Sequence, residues 1–339
     1  MNIPPPLQNH LDIMCCPACS GSLEVKVEGI VKCAGTCGHE YPITDGLPQL
    51  FMPNDWAPGQ ADITEKMKAF YEKTPFPNYD DFDSVGSLME KARRGIFAKL
   101  LDDQLPFGAR VIECGCGTGQ LSNFLAIANR QVIGADMCMH SLSLGNQFRN
   151  KHGIHRAGFL QMNLFRPCFK PGSFDVVISN GVLHHTSDCH KAFDTISTLV
   201  KPGGYLIVGL YHWYGRLWTD TRRHIFNLTN NRLKWLDWRL TNRSVSDAKK
   251  EAWFQDQYKN PYETKHTIGE VAEWVKQINF EYISSIPKST IPSDISPDHK
   301  LFQPARLGGP LERFLVESAM IVNGGKEGGF FIVIARRPK

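Results

Sequence analysis

A run of alternating glycines follows a short apolar stretch that ends in an acid. The segment reads Arg110-Val-Ile-Glu-Cys-Gly-Cys-Gly-Thr-Gly119, so Glu113 precedes glycines at positions 115, 117 and 119. Glycine lacks a Cβ and tolerates positive φ, so a turn of this kind lets a ligand touch the backbone. A second acid, Asp136, ends the next apolar stretch. The spacing predicts a nucleoside-cofactor site at the ends of two strands.

The residue after the third glycine discriminates between cofactors. A dinucleotide-binding fingerprint needs glycine at position 120, where this chain has Gln120, and a P-loop needs Gly-Lys-Ser/Thr, which is absent. The pattern Glu-x-Gly-x-Gly-x-Gly instead resembles the first motif of class I S-adenosylmethionine (SAM) methyltransferases. The resemblance implies that Glu113 lies near the methionyl ammonium of SAM and that Asp136 accepts both ribose hydroxyls.

Two later segments extend this resemblance. Phe174-Asp-Val-Val-Ile-Ser-Asn-Gly-Val-Leu-His-His-Thr186 and the turn Val200-Lys-Pro-Gly-Gly204 are similar to later motifs of the superfamily, and to its ubiquinone- and menaquinone-pathway group in particular. Asn163 stands where these enzymes usually place an acid near adenine, and an amide can also hydrogen-bond the adenine amine. Besides Glu113 and Asp136, the predicted cofactor-binding residues are Gly115, Gly117, Gly119, Met137, Asn163, Leu164, Asn180, Gly181 and Tyr71.

Alternating apolar runs and helical patterns predict the fold. Their βαβα order is typical of a parallel sheet covered on both faces, with its active site at the carboxyl ends of the strands. We therefore expect an α/β fold with a Rossmann-like seven-stranded methyltransferase core, preceded by helices at 61–73 and 87–104. The resemblance implies that the last strand inserts antiparallel. The predicted strands span residues 110–114, 131–136, 157–162, 174–179, 205–211, 280–286 and 330–335.

Four cysteines near the start of the chain have the spacing of a zinc site. They form two pairs, Cys16-Pro-Ala-Cys19 and Cys33-Ala-Gly-Thr-Cys37, and four such thiolates close a tetrahedral Zn²⁺ site. Cys15 and His39 offer substitute ligands, and cysteines without a metal are the alternative. The segment after Cys37 resembles the end of small zinc ribbons that are fused to some methyltransferases or activate them as separate proteins. We expect a structural zinc that supplies much of the folding free energy of this module.

Two histidines follow the fourth core strand. Methyl transfer from SAM chiefly needs an aligned acceptor and the exclusion of water. A hydroxyl or an acidic carbon as acceptor would also profit from a base, and His184 and His185 are the catalytic candidates, with His185 favoured. Histidines that line the pocket without exchanging protons are the alternative.

An aromatic and basic tract follows the fifth core strand. Residues 212–250 hold nine Lys or Arg against three Asp, a local charge of +6. The tract predicts a cap whose arginines clamp an anionic acceptor, and a solvated basic helix is the alternative. The predicted substrate-binding residues are Tyr79, Tyr211, Tyr214, Arg216, Arg222 and Arg223. Further candidates, for substrate contact or for anchoring the cap, are Asp256, Gln257, Tyr258 and His266.

The acceptor itself is open between classes. The Asn-Pro-Pro-Tyr/Phe-type motif of many base-amine methyltransferases is absent, which favours a small-molecule or lipid-like acceptor over RNA. RNA stays an alternative because interleaved aromatic and basic residues stack on bases and contact phosphates. A non-catalytic SAM-binding partner subunit is a third hypothesis, although the complete first motif argues against loss of cofactor binding.

Composition sets broader expectations. The 339 residues are 42% hydrophobic with a net charge of +4, as in ordinary soluble proteins, and this charge neither demands nor excludes nucleic acid. No leader and no apolar run of about 20 residues is recognisable, so we expect a cytoplasmic protein without a transmembrane segment, of open oligomeric state. The predicted domains are a zinc ribbon (1–52), a linker with lid helices (53–109), the core (110–211), a cap (212–265) and a C-terminal completion of the core (266–339). The lid candidates are Tyr71, Phe76 and Tyr79.

Overall fold

The chain folds around one mixed sheet with helices on both faces. The computed structural model describes residues 5–26, 29–56, 62–75, 79, 84–243, 245–327 and 329–339. The strands are β1 (Leu23–Lys26), β2 (Ile30–Cys33), β3 (Glu40–Thr44), β4 (Leu47–Leu50), β5 (Arg110–Cys114), β6 (Gln131–Asp136), β7 (Ala157–Met162), β8 (Phe174–Asn180), β9 (Val200–Tyr211), β10 (Glu281–Ile286) and β11 (Phe330–Arg336). The helices are α1 (Pro5–Gln8), α2 (Thr64–Lys73), α3 (Val85–Arg94), α4 (Ile96–Gln104), α5 (Gln120–Ile127), α6 (Met139–Lys151), α7 (Cys189–Ser197), α8 (Leu217–Leu228), α9 (Trp238–Thr241), α10 (Asp247–Phe254), α11 (Ile268–Gln277) and α12 (Pro310–Glu327).

The strand order explains how the site is formed. The sheet runs β1-β2-β3-β4-β7-β6-β5-β8-β9-β11-β10, with β7, β6, β5, β8 and β9 parallel and β11 antiparallel between β9 and β10. The predicted seven-stranded α/β core is confirmed, including its antiparallel last strand. The sheet is longer than predicted because β4 pairs with β7, Gln49 opposite Gln161, so that the N-terminal module extends it.

Burial on both faces explains why the core strands are almost wholly apolar. In β8, Val177 packs in one hydrophobic cluster with Leu206, while its neighbour Ile178 packs in another with Ile207. Because successive side chains of a strand point to opposite faces, the two clusters lie on opposite sides of the sheet. A sheet sandwiched in this way requires continuous apolar runs, which is why its strands were recognisable in the sequence.

Two predicted boundaries are wrong for local reasons. β9 begins at Val200 rather than at 205, because Val200 already pairs with Phe174 of β8. The helix predicted over 87–104 is two helices, since Gly95 takes an extended conformation (φ −82°, ψ 121°) and separates α3 from α4.

The segment between β9 and α11 folds as a helical cap. It contains α8, α9 and α10, followed by one π-helical turn over Gln255–Lys259. Phe226, Phe254 and Tyr258 form a small aromatic core inside it. Of the helices that the structure describes, none has both the length and the apolar character needed to cross a membrane.

Candidate functional site

A cavity of about 550 Å³ opens at the carboxyl ends of the parallel strands. Two groups among its lining residues include the predicted site residues. The strand-end side consists of Glu113, Gly115, Gly117, Asp136, Met137, Asn163, Leu164, Asn180 and Gly181. The opposite side, called the cap side below, consists of residues from α2, from the turn after β8, from the end of β9 and from the segment after β9: Tyr71, His185, Tyr211, Trp253, Asp256 and Gln257.

The glycine turn after β5 is shaped by two close approaches. Gly115 has φ +77°, and a Cβ there would lie 2.4 Å from Cγ1 of Val182. Gly119 has φ +70°, and a Cβ there would lie 2.3 Å from Cε1 of Phe159. Gly115 and Gly117 line the cavity, whereas Gly119 lies outside its lining and begins α5. The third glycine thus allows the turn to pack on the core instead of touching a ligand.

Glu113 is a buried carboxyl that faces the cavity. It is 7% exposed, and Oγ of Ser122 donates a hydrogen bond of 2.5 Å to it. Burial raises the pKa of Glu113 to about 7. Within the described residues, none of the ion pairs includes Glu113, although an ionised buried carboxylate is costly without a cation. A ligand that brings an ammonium group to this wall therefore fits the site.

Asp136 is held by backbone amides of two turns, the turn after β5 and the turn after β6. Its Oδ2 accepts a hydrogen bond from the amide of Gly117 (2.9 Å), and its Oδ1 accepts one from Cys138 (2.8 Å). A carboxylate has about four acceptor sites, so both oxygens can still receive a hydroxyl from the cavity. Burial raises the pKa of Asp136 as well. This geometry suits the predicted contact with two ribose hydroxyls.

Asn163 has a structural task that its sequence position did not reveal. Its amide nitrogen donates to the carbonyl of Met52 and to Oδ1 of Asn54, both at 2.7 Å, while its Oδ1 accepts from Phe165 (3.0 Å). Both of its donors are therefore used to fasten the chain after β4 to the core. Asn163 lines the cavity, and only its carbonyl oxygen could receive the adenine amine.

The two histidines after β8 differ in position. His185 lines the cavity, and its Nδ1 lies 2.8 Å from the carbonyl oxygen of Tyr262, so Nδ1 carries the hydrogen and Nε2 has the free lone pair. Burial lowers the pKa of His185, which keeps the ring neutral. His184 is fully buried and stacks near Tyr211, with ring centroids 4.1 Å apart, outside the cavity lining. The structure therefore places His185, and not His184, where a base could meet an acceptor.

A hydrogen-bonded network completes the cap side. Nε2 of Gln257 donates to the hydroxyl of Tyr211 (3.0 Å) and to Oδ2 of Asp256 (2.8 Å), and the hydroxyl of Tyr71 lies 3.4 Å from Oδ1 of Asp256. Asp256 and Gln257 come from the π-helical turn, a feature that often marks functional sites. Tyr71 was predicted beside the cofactor but belongs to this network. Of the four further candidates, Tyr258 and His266 lie outside the lining.

The arginines of the predicted clamp lie away from the cavity. Arg216 is fully buried and donates to both oxygens of Glu263 (3.1 and 2.8 Å), and Arg223 donates to the same carboxylate (2.8 Å). Neither they nor Arg222 line the cavity. Glu263 lies outside the tract whose charge was counted, so the sequence did not reveal that it pairs with both arginines. The basis for expecting an anionic acceptor is thereby removed.

Three of the predicted aromatic contacts lie in different surroundings. Tyr79 stacks on Phe148 with centroids 4.6 Å apart, and its hydroxyl accepts from Asn123 (2.9 Å). Tyr214 packs edge-on against Phe314 at 6.2 Å. Both are outside the cavity lining, so they stabilise packing, while Tyr211 does line it. Phe76 lies outside the described residues.

The four predicted zinc ligands come together. The Sγ atoms of Cys16, Cys19, Cys33 and Cys37 all lie within 4.8 Å of one another, with 3.5 Å separating Cys16 from Cys37 and Cys19 from Cys33. A tetrahedral Zn²⁺ with Zn–S bonds of about 2.3 Å would set them about 3.8 Å apart. The two substitute ligands lie outside this cluster: Cys15 is buried apart from it, and His39 stacks on Tyr41 at the surface.

Comparison with known proteins agrees with this geometry. Residues 107–270 match the family model described as a methyltransferase domain, and residues 8–46 match the Trm112p-like protein model. A ubiquinone biosynthesis O-methyltransferase from Ralstonia nicotianae is 32% identical over 105 residues, 31% of this chain and 44% of the relative. An uncharacterized protein from Synechococcus sp. is 25% identical over 244 residues, 63% of this chain and 58% of the relative. The chain thus spans about half the length of these curated relatives.

Solved structures align with this chain only loosely. A complex between the Haloferax volcanii Trm112 methyltransferase activator and a putative methyltransferase aligns with a TM-score of 0.46 at 14% identity, covering 75% of this chain and 94% of that one. The strand order and the strand-end acids define a class I methyltransferase. Residues 107–270 form a methyltransferase domain of the class I SAM-dependent type, and a Trm112-like zinc ribbon lies on its N-terminal side. The predicted cofactors are confirmed, SAM by the methyltransferase-domain match and a structural Zn²⁺ by the Trm112-like match and the four-cysteine cluster.

Proposed function

We propose that this chain transfers a methyl group from SAM to a neutral small-molecule or lipid-like acceptor that carries a hydroxyl. The observation that carries the proposal is one cavity in which Glu113 and Asp136 face His185 and Asp256. SAM, when bound, supplies an electrophilic methyl group on a sulfonium leaving group. The chain has only to hold the two reactants together, exclude water and receive one proton.

The strand-end side is the proposed SAM site. Glu113 would pair with the ammonium group, Asp136 would accept the ribose hydroxyls, and Gly115 and Gly117 leave their backbone open to the ligand. Met137, Leu164, Asn180 and Gly181 form the neighbouring wall. The Oδ1 atom of Asn180 is buried without a hydrogen-bond partner, so it is available as an acceptor for a bound ligand.

The charge of the cavity supports a neutral acceptor. Its acidic and basic lining residues are three carboxyls, Glu113, Asp136 and Asp256, with His185 and the exposed Lys91. Burial lowers the pKa of His185, so the ring contributes no positive charge at neutral pH. An anionic acceptor would therefore meet acidic groups on both sides of the cavity, whereas a hydroxyl would not be repelled.

His185 is the proposed base of the cap side. Its Nε2 would take the hydroxyl proton while the acceptor oxygen bonds to the methyl carbon and the electron pair of the C–S bond stays on sulfur. The carbonyl of Tyr262 holds the ring by the opposite nitrogen. The nearby carboxyl of Asp256 raises the pKa of His185 against the effect of burial, so it would stabilise the imidazolium that forms.

Two experiments test this function in order. Calorimetric titration with SAM should show binding by the wild type, and the absence of both heat and a thermal shift would remove the SAM site. Incubation with methyl-labelled SAM and fractionated cell extract should then place the label in an organic-solvent fraction. Label in RNA instead would favour the alternative acceptor, which the Trm112-like module and the basic cap support. SAM binding without label in any fraction would favour a non-catalytic partner subunit.

A further inference from the structure

Helix α12 carries an apolar face on each side. Val316 and Met320 are buried against the protein. On the opposite face, Leu311 is 72% exposed and Val322 81% exposed, with Phe314 and Leu315 between them. Residues at i, i+3, i+4 and i+11 share one face of a helix, so these four side chains form a continuous stripe.

The charged residues of this helix do not interrupt the stripe. Glu312 accepts hydrogen bonds from Arg306, and Arg313 donates to the carbonyl of Gly308. Glu317 is buried, with its Oε1 3.4 Å from the amide of Gly269. A solvent-facing helix normally has its charges outside and its apolar residues inside. Here the outer face from 311 to 322 is apolar except at Ser318, whose hydroxyl donates to the carbonyl of Phe314. This composition marks the face as a docking surface.

Helix α8 extends the stripe with a tryptophan. Nε1 of Trp218 donates to the carbonyl of Ile321 in α12 (2.9 Å), while the indole stays 50% exposed. Leu217, next to it, is also exposed. We call the combined area the α8–α12 surface. It consists of Leu217, Trp218, Leu311, Phe314, Leu315 and Val322.

The cap beside this surface concentrates the positive charge of the chain. Residues 212–265 hold eleven Lys or Arg and six Asp or Glu, a net +5, whereas the whole chain has +4. The cap also holds all four of the exposed tryptophans that the structure describes, Trp213, Trp218, Trp235 and Trp238. Tryptophan and basic residues around an apolar face are typical of segments that lie in the headgroup region of a bilayer.

We propose that the α8–α12 surface docks on an anionic lipid bilayer. A second copy of the chain fits this surface less well, because a two-fold contact would bring the two +5 caps together. A bilayer containing anionic lipids attracts the cap and accepts the apolar stripe. Helix α8 also packs on the π-helical turn that supplies Asp256 and Gln257 to the cavity. The surface is therefore structurally continuous with the acceptor side, although the proposal does not depend on methyl transfer.

Flotation with vesicles tests the proposal on the full chain without SAM. Vesicles of phosphatidylcholine with phosphatidylglycerol should bind the wild type, more weakly as salt is raised, and phosphatidylcholine alone should bind it less. The double variant Leu311→Ser with Leu315→Ser should lose at least about tenfold in binding, because two apolar side chains no longer enter the bilayer. The matched control is Phe107→Ser, which removes a 76% exposed ring at the amino-terminal end of β5 and should bind like the wild type.

Two further measurements on the same variants distinguish a bilayer from the other possible occupants. Light scattering detects a second copy of the chain, and a binding assay detects RNA. Both serine positions are exposed, so the double variant should keep the thermal stability of the wild type. Equal vesicle binding by the double variant and the wild type overturns the proposal, as does a failure of the wild type to bind anionic vesicles. If the wild type and Phe107→Ser were dimers and the double variant a monomer, the surface would be assigned to a second copy of the chain. Loss of RNA binding without any vesicle binding would assign it to RNA.

Discussion

The two sides of the cavity are built by different physical means. On the strand-end side, Glu113 and Asp136 end strands whose register is fixed by the sheet, and glycines bring the backbone to the ligand. On the cap side, Tyr71, His185 and Asp256 come from parts of the chain up to 185 residues apart and are held by hydrogen bonds. The first side is local backbone geometry, and the second is a tertiary network.

This difference separates what is general in the fold from what is specific. A turn that follows directly from a strand holds its shape with few side chains, so it suits a cofactor shared by many enzymes. A network of distant side chains changes when any one of its helices shifts, so it suits an acceptor that differs between enzymes. Variants on the cap side should therefore alter chemistry and stability, whereas variants on the strand-end side should alter cofactor affinity.

Replacement of His185 is expected to give the largest effect. His185→Ala removes the proposed base, and kcat should fall by about 10²–10⁴ while the affinity for SAM stays within about twofold. Steady-state kinetics with the acceptor and calorimetry with SAM measure the two effects separately. His190→Ala, which removes a partly exposed imidazole from α7, is the matched control and should leave both unchanged. An unaltered kcat in His185→Ala would restrict this histidine to lining the cavity.

Removal of Glu263 should destabilise the fold rather than the cofactor site. Its carboxylate, 2% exposed, is the shared partner of Arg216 and Arg223, so Glu263→Ala leaves a fully buried guanidinium without its counter-ion. A loss of about 3–5 kcal/mol in the free energy of unfolding is expected, measurable by urea denaturation. Glu251→Ala breaks an exposed pair with Lys234 and an exposed hydrogen bond from Gln255, and it should cost about 1 kcal/mol or less. Equal losses in both variants would contradict a buried network.

The same contrast explains how far the sequence could be interpreted. The strand ends, the glycine turn and the cysteine pairs were recognisable because their residues lie close in sequence and their spacing follows the geometry of a strand, a turn or a metal. Gly119 was predicted to bind the cofactor but packs on Phe159, which comes from another strand and could not be identified as its neighbour from the sequence. Arg216 was misjudged because its partner Glu263 lies 47 residues away, so charge counting made it appear free.

The zinc ribbon shows the same limit in another region. The cluster of four cysteines followed from spacing, yet nothing in the sequence indicated that β4 would pair with β7 and join the ribbon to the core sheet. The amide of Asn163, tied to Met52 and Asn54, belongs to that same attachment. Edge pairing depends on which strand is left unpaired in the fold, and a single sequence does not carry that information.

On the strand-end side, Glu113→Gln tests the ionic contact with little change in shape. The variant keeps a polar group of the same size beside Ser122 but removes the negative charge, so SAM affinity should fall by about 10–100-fold, as expected for a lost charge-assisted hydrogen bond. Calorimetry with SAM gives the affinity directly. Glu90→Gln, at an exposed position of α3, is the matched control and should bind as the wild type does. If Glu113→Gln bound SAM with wild-type affinity, the ammonium group of SAM would not bind beside Glu113.

A pH dependence of SAM binding should arise from the protonation of the same carboxyl, Glu113. The pKa of Glu113 in the folded protein is about 7, above its ordinary value of 4.5, so the affinity of the wild type should rise about tenfold between pH 5 and 6 and level off above pH 7. The stability of the apoprotein should change with pH in the opposite direction. Its folded state binds the proton more tightly than its unfolded state does, so its free energy of unfolding should fall between pH 4.5 and 7. Calorimetry with SAM and thermal denaturation across this pH range measure the two slopes.

Glu113→Gln should lack both pH dependences. A Glu113→Gln variant that kept them would assign the titration to another group, such as Asp136.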